Sequence, residues 1–188
     1  MRFSPTARAR IGAALLTLVI GAPAGAAEIE LLGTLTGTVD GEKRTWYVTA
    51  AEMEGETVSQ SDFMGDPSSG ATVSLFGHPT ESVMSSKASI LLSFSVNSPG
   101  APRVSGVEIT YGGFSKVEGQ TGFYNSGNDG QAEVVVSSFG AEGERLKISG
   151  TFSGTMPFRA STSKEPDMDH VVTVTDGSFD TLILPLSF

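Results

Sequence analysis

The chain is 188 residues long, with 12 Lys+Arg against 21 Asp+Glu, a net charge of -9 at pH 7, 23 Gly, 9 Pro and no Cys. That length predicts one domain, and the missing cysteines exclude disulfide scaffolds, thiolate zinc sites, thiol nucleophiles and an acylated N-terminal Cys together. The acidic balance argues against nucleic acid or a basic membrane-surface patch, since both need Lys and Arg set against phosphates.

Arg2, Arg8 and Arg10 form a positive leader, Ile11 to Ile20 is an apolar run, and Ala24-Gly25-Ala26 is a small-residue cleavage pattern. Together they predict a secretory signal peptide over residues 1–26, with a single domain over 27–188. The run falls short of the about 20 apolar residues that span a bilayer. With no adjacent Arg-Arg pair in the leader, export of the unfolded chain through the general pathway is expected. The only charged residues that cleavage removes are basic, Arg2, Arg8 and Arg10, so the mature chain is expected to be more acidic than its precursor. The expected destination is the periplasm or the medium, with the outer membrane as the alternative.

From there the chain reads as strand after strand. Glu30 to Val39, Arg44 to Ala50, Ala71 to Phe76, Lys87 to Val96, Val104 to Tyr111, Ala132 to Phe139, Arg145 to Phe158, His170 to Thr175 and Ser178 to Leu186 are rich in Val, Ile, Thr and aromatics. Ala88, Ile90, Leu92, Phe94 and Val96 alternate with Ser89, Leu91, Ser93 and Ser95. Leu146, Ile148, Phe152, Met156 and Phe158 likewise share a face with Gly150 and Gly154, opposite a face of Ser, Thr and Lys. Only Ala50 to Glu56 offers a helical turn, which Gly55 cuts short. Asp40-Gly41 and Ala141-Glu142-Gly143 predict hairpins, while Asp176-Gly177 predicts a turn or a bulge within a longer strand. Ser59 to Gly70, Gly77 to Lys87, Gly119 to Gly130 and Arg159 to Asp169 read as polar loops. The fold class expected is all-β: an antiparallel β-sandwich, jelly-roll or Ig-like in general architecture, of about ten short strands.

Gly33-Thr34-Leu35-Thr36-Gly37-Thr38-Val39 is echoed by Gly150-Thr151-Phe152-Ser153-Gly154-Thr155-Met156. The echo is either a duplicated sheet element, with glycines among the large apolar residues, or coincidence in a chain biased to Gly, Ser and Thr. The stretch Ala132 to Val136, then Leu146 to Gly154, then Val172-Thr173-Val174-Thr175-Asp176-Gly177-Ser178-Phe179-Asp180, resembles the C-terminal pattern of an uncharacterised family of secreted β-rich bacterial envelope domains, many of them lipoproteins. The resemblance implies a secreted sandwich-like fold and transfers no activity and no site residue. This chain departs from the lipoprotein members in having no Cys to acylate.

Chemistry-bearing motifs are sparse. His78 and His170 are the two histidines, too few for a histidine zinc centre without help from distant loops. Glu165-Pro166-Asp167-Met168-Asp169-His170 is the best candidate cation site: Asp167, Asp169 and His170 offer oxygen and nitrogen ligands, and calcium is the cofactor such carboxylates would take, although the glycine and ligand spacing of a calcium loop are missing. The alternative is a solvated acidic loop. Asn125-Ser126-Gly127-Asn128-Asp129-Gly130 has calcium-loop residue types in the wrong register. Ser161-Thr162-Ser163-Lys164 matches a bare Ser-x-x-Lys without its partner motifs. Trp46-Tyr47 is the one adjacent aromatic pair, expected to send one ring to the core. Leu182, Leu184, Leu186 and Phe188 suggest an apolar closing strand, with Leu184 in the dry core of a sandwich or facing lipid in a small outer-membrane barrel, but one Trp and three Tyr cannot furnish two aromatic girdles. The expected function is a non-enzymatic binding or envelope-associated module for an unknown envelope protein or extracellular ligand. The alternatives are a membrane barrel and a secreted carboxylate-dependent hydrolase.

Overall fold

The computed structural model describes residues 28–53, 55–81, 87–97, 100–127, 129–161 and 165–186, the side chains of 113 and 114 excepted. The expected signal peptide, residues 162–164 of the Ser-x-x-Lys motif and Phe188 of the expected closing strand therefore lie outside the described residues. Among the described residues the fold has eleven strands: β1 (Ile29–Val39), β2 (Glu42–Met53), β3 (Glu56–Ser59), β4 (Asp62–Asp66), β5 (Gly70–Gly77), β6 (Ile90–Asn97), β7 (Arg103–Val117), β8 (Gln120–Asn125), β9 (Gln131–Glu142), β10 (Arg145–Ala160) and β11 (Asp167–Pro185). No helix long and apolar enough to cross a membrane occurs among the described residues.

The strands form two layers of a β-sandwich. The front layer runs β3-β2-β1-β11-β10-β9 and the back layer β4-β5-β6-β7-β8. Hydrogen bonds join them at two corners. At one, β11 pairs in parallel with β4 through Leu184↔Asp62 and Pro185↔Phe63. At the other, the end of β10 crosses to β8 through Phe158↔Tyr124 to Ala160↔Gly122. All other strand pairs are antiparallel, each joined by a local hairpin or a return across the sandwich. Asp40 and Gly41 both have positive φ, 47° and 88°, the conformation that lets a two-residue turn follow the twist of the strands it joins.

The apolar faces of both layers point inward. Ile90, Leu92, Phe94 and Val96 from β6 meet Leu146, Ile148, Phe152 and Met156 from β10 in a single buried core. Phe94 and Phe179 face one another across the layers with ring centroids 6.2 Å apart, and Phe152 lies 6.5 Å from Phe179. Trp46 is fully buried. Its indole Nε1 donates to the Ala88 carbonyl at 2.8 Å, and its ring meets Tyr111 edge-on at 6.3 Å. Each such ring removes a large apolar area from water, at roughly 25 cal/mol per Å².

Three expectations are corrected. Ala50 to Glu56 forms no helical turn: β2 continues to Met53, which pairs with Glu56 of β3 around Gly55 at φ 88°. Of the two alternatives at Asp176-Gly177 the bulge is the one found: the expected strands His170 to Thr175 and Ser178 to Leu186 belong to one strand, β11, with Asp176 at φ 51°. Because the bulge adds a residue, Val172 and Val174 face inward before it and Gly177, Phe179, Thr181 and Ile183 after it. Ile183, not Leu184, is therefore the fully buried core residue; Leu184 packs at the core's margin and Leu186 is exposed. Finally, β4 and β8 occupy segments expected to be loops.

Candidate functional site

The outer surface of the front layer carries the most regular chemistry in the molecule. Alternation sends every second residue of each strand outward, and here those residues are predominantly Ser and Thr. The registers align them into rows across five strands. One row runs Thr45, Thr36, Ser178, Thr151, Val135 across β2, β1, β11, β10 and β9, and the next runs Tyr47, Thr34, Asp180, Ser149, Ser138. Within these rows the Thr36 and Ser178 hydroxyls are hydrogen-bonded at 2.9 Å and those of Ser138 and Ser149 at 2.7 Å. Lys147 forms an ion pair with Asp180.

The echo segments lie on either side of β11. Leu35 of the first and Gly150 of the second both align with Phe179, and Thr36 and Thr151 both align with Ser178. Gly150 opens room for the Phe179 ring, so the shared glycines serve the core while the shared hydroxyls build the outer face.

Two adjoining open depressions, of about 400 and 630 Å³, cross β9, β10 and β11 on this face and share Glu133, Ser153 and Thr175. The first extends over Thr155 and Thr173 and the second over Thr151, Asp176 and Ser178. The bulge at Asp176 lies in the second. The lining offers hydroxyl donors and acceptors with two carboxylates, and it contains no histidine or lysine that could draw a proton from a hydroxyl.

The acidic residues singled out in the sequence sit at the start of β11. His170 Nδ1 is 2.8 Å from Asp167 Oδ2, while Asp167 Oδ1 accepts the Asp169 backbone N–H at 3.0 Å. Asp167 also lines a cavity with Glu165 and with Glu118, the latter from the β7–β8 turn; Asp169 and His170 are not in its lining. Glu118 was missed in the sequence because only the tertiary fold brings that hairpin to β11. Among the described residues no group of three or more His, Cys, Asp or Glu is arranged to hold a metal ion. The second histidine, His78, is buried after β5, with its ring 4.8 Å from Phe76. Asn125 is likewise an internal group, donating to Glu108 at 2.6 Å and Thr110 at 2.7 Å, and Asp129 pairs with Arg159.

The hydrogen bond to Asp167 raises the His170 pKa, with the negative charges of Asp167, Glu118 and Asp169 assisting, and the same bond lowers that of Asp167. The pair's contribution is therefore complete below the free-histidine value of about 6.5 and fades as pH rises through the raised one. On the acid side it is complete above the free-Asp value of about 3.9 and fades as pH falls through the lowered one. Asp167→Asn is expected to return the His170 titration, followed by NMR, toward about 6.5. An unmoved midpoint would show that this contact does not set it.

In comparison with known proteins, no family model, curated protein or solved structure matches this chain.

Proposed function

We propose that the protein is an exported, non-enzymatic binding module that receives an envelope or extracellular ligand on the hydroxyl face of β9, β10 and β11. The observation that carries this reading is the pair of adjoining depressions, lined by Ser and Thr hydroxyls with Glu133 and Asp176 and without histidine or lysine. Such a surface recognises a partner by many individually weak hydrogen bonds. The leader at Arg2 to Ala26 supports export, and N-terminal sequencing of the secreted form is expected to begin near Ala27 or Glu28. Ser153 lines both depressions, so Ser153→Arg is expected to abolish capture of the wild-type partner from envelope extract while leaving the thermal midpoint unchanged. Equal capture by the variant would remove the face from consideration.

The hydrolase alternative draws support from the cavity shared by Glu118, Glu165 and Asp167. Turnover of a model ester or glycoside, lost in Asp167→Asn with the fold intact, would favour that reading over the binding module.

A further inference from the structure

The two hydrogen-bonded corners leave few free strand edges among the described residues, and those few are treated differently. β3 is a four-residue strand beginning at Glu56 and pairs beside Glu52. The first half of β7 has Pro102 just before it and Gly106 at φ 63° within it, where its register with β6 slips. Short length, charge, proline and bulges all blunt an edge against pairing. β9 is twelve residues long, contains no Lys, Arg or Pro, and among the described residues pairs only with β10. Its two charges, Glu133 and Glu142, lie toward its ends, with Val134-Val135-Val136 beside the first. Val135 points outward and is 50% exposed.

We propose that β9 pairs antiparallel with β9 of a second copy of this chain, about a two-fold axis perpendicular to the sheet at Val135. Such an axis keeps the front layers of the two copies continuous, so residues placed opposite one another must share a face. That requirement leaves few registers. Centred on Glu133, the pairing sets two carboxylates face to face; centred on Val134, it sets Glu133 against Val135. Centred on Val135, it sets Val135 against its own copy, Val134 against Val136, and Glu133 against the Ser137 hydroxyl, which can donate to it. The regular ladder then runs from Glu133 to Ser137, where β9 slips register against β10. A ladder this short falls below the about 1,200–2,000 Å² of a stable interface, and both copies are acidic, so the dimer is weak and is strengthened by salt. Glu133 and Val135 also line the depressions assigned to the ligand, so the association is measured without ligand and reads the dimer alone.

The absence of native cysteine gives a direct test. Residues opposite one another across an antiparallel pair have Cα atoms about 4.5–5.5 Å apart, within disulfide reach. In the exported chain, V135C is expected to form a disulfide dimer under mild oxidation at least tenfold faster than S153C, which lies on the neighbouring strand. Sedimentation of the cysteine-free protein is expected to show a concentration-dependent dimer, stronger at 0.5 M than at 0.05 M NaCl, with association weakened at least tenfold in V135K. Because Val135 is exposed, far-UV circular dichroism should show each variant folded. A cysteine-free protein that stays monomeric at millimolar concentration in high salt overturns the proposal, as does crosslinking of V135C no faster than that of S153C.

Discussion

Phe94→Asp is expected to leave no folded protein in detergent-free buffer. Phe94 is 1% exposed and lies against Phe179, at the centre of the core where the two layers meet. Truncation to Ala already costs about 3–5 kcal/mol through lost transfer energy and an unfilled cavity. An unpaired carboxylate in the same place adds a desolvation penalty of several kcal/mol, against a total stability of about 5–15 kcal/mol for a domain. Loss of near-UV ellipticity and of a cooperative melt would be the expected record. A Phe94→Asp protein melting within a few degrees of wild type would contradict a dry core between two sheets.

Gly150→Ala is the second large effect, and it has an internal control. A Cβ at Gly150 would lie 2.2 Å from the Val135 carbonyl oxygen and 2.7 Å from the Phe179 ring. The ring could turn aside, but the carbonyl belongs to the neighbouring strand and can yield only if β9 moves away from β10. Overpacking of this kind costs about 1–3 kcal/mol, and the backbone contact places this variant at the upper end. For a chain of this size about 3 kcal/mol corresponds to a fall in thermal midpoint of about 6–12 °C. Gly140, on β9 itself, has nothing within 4 Å of its would-be Cβ, so Gly140→Ala is expected to stay within about 0.5 kcal/mol of wild type. Equal midpoints for the two variants would show that the close approach at Gly150 is absent in solution.

What was legible in the sequence was what alternation encodes. Ile90 to Val96 and Leu146 to Met156 show their buried faces as a period of two, and those residues do meet in one core. What was hidden lay where a strand is short or its period breaks. β4 and β8 are short runs without clean alternation that pair in hairpins with β5 and β7, and their further pairing across the corners, Asp62 with Leu184 and Tyr124 with Phe158, is announced by no local pattern. At Asp176 one additional residue reversed the parity of the strand, so Leu184 read as core and Ile183 did not. The hydroxyl face was half visible: Thr151, Ser153 and Thr155 could be seen to share a side. That Thr36 and Thr151 flank the same Ser178 depends on register, which only the folded sheet supplies.

The placing of β11 bears on how such a chain can be handled before it folds. It is the last of the strands in chain order, yet it sits between β1 and β10 and also closes the corner at β4. A chain that has emerged only as far as Ala160 can make its early hairpins, but β1 and β10 still lack their common neighbour and the barrier to the sandwich has not been crossed. Pairings this distant in sequence form slowly, because the loops they close must be ordered before any contact rewards them. For the export proposed above, that delay keeps a segment that cannot complete its core from jamming the channel. It also carries a hazard, because the waiting edges of β1 and β10 are open to pairing with other chains. The interval between release of the segment before β11 and its insertion is thus the period in which this protein most needs a holdase.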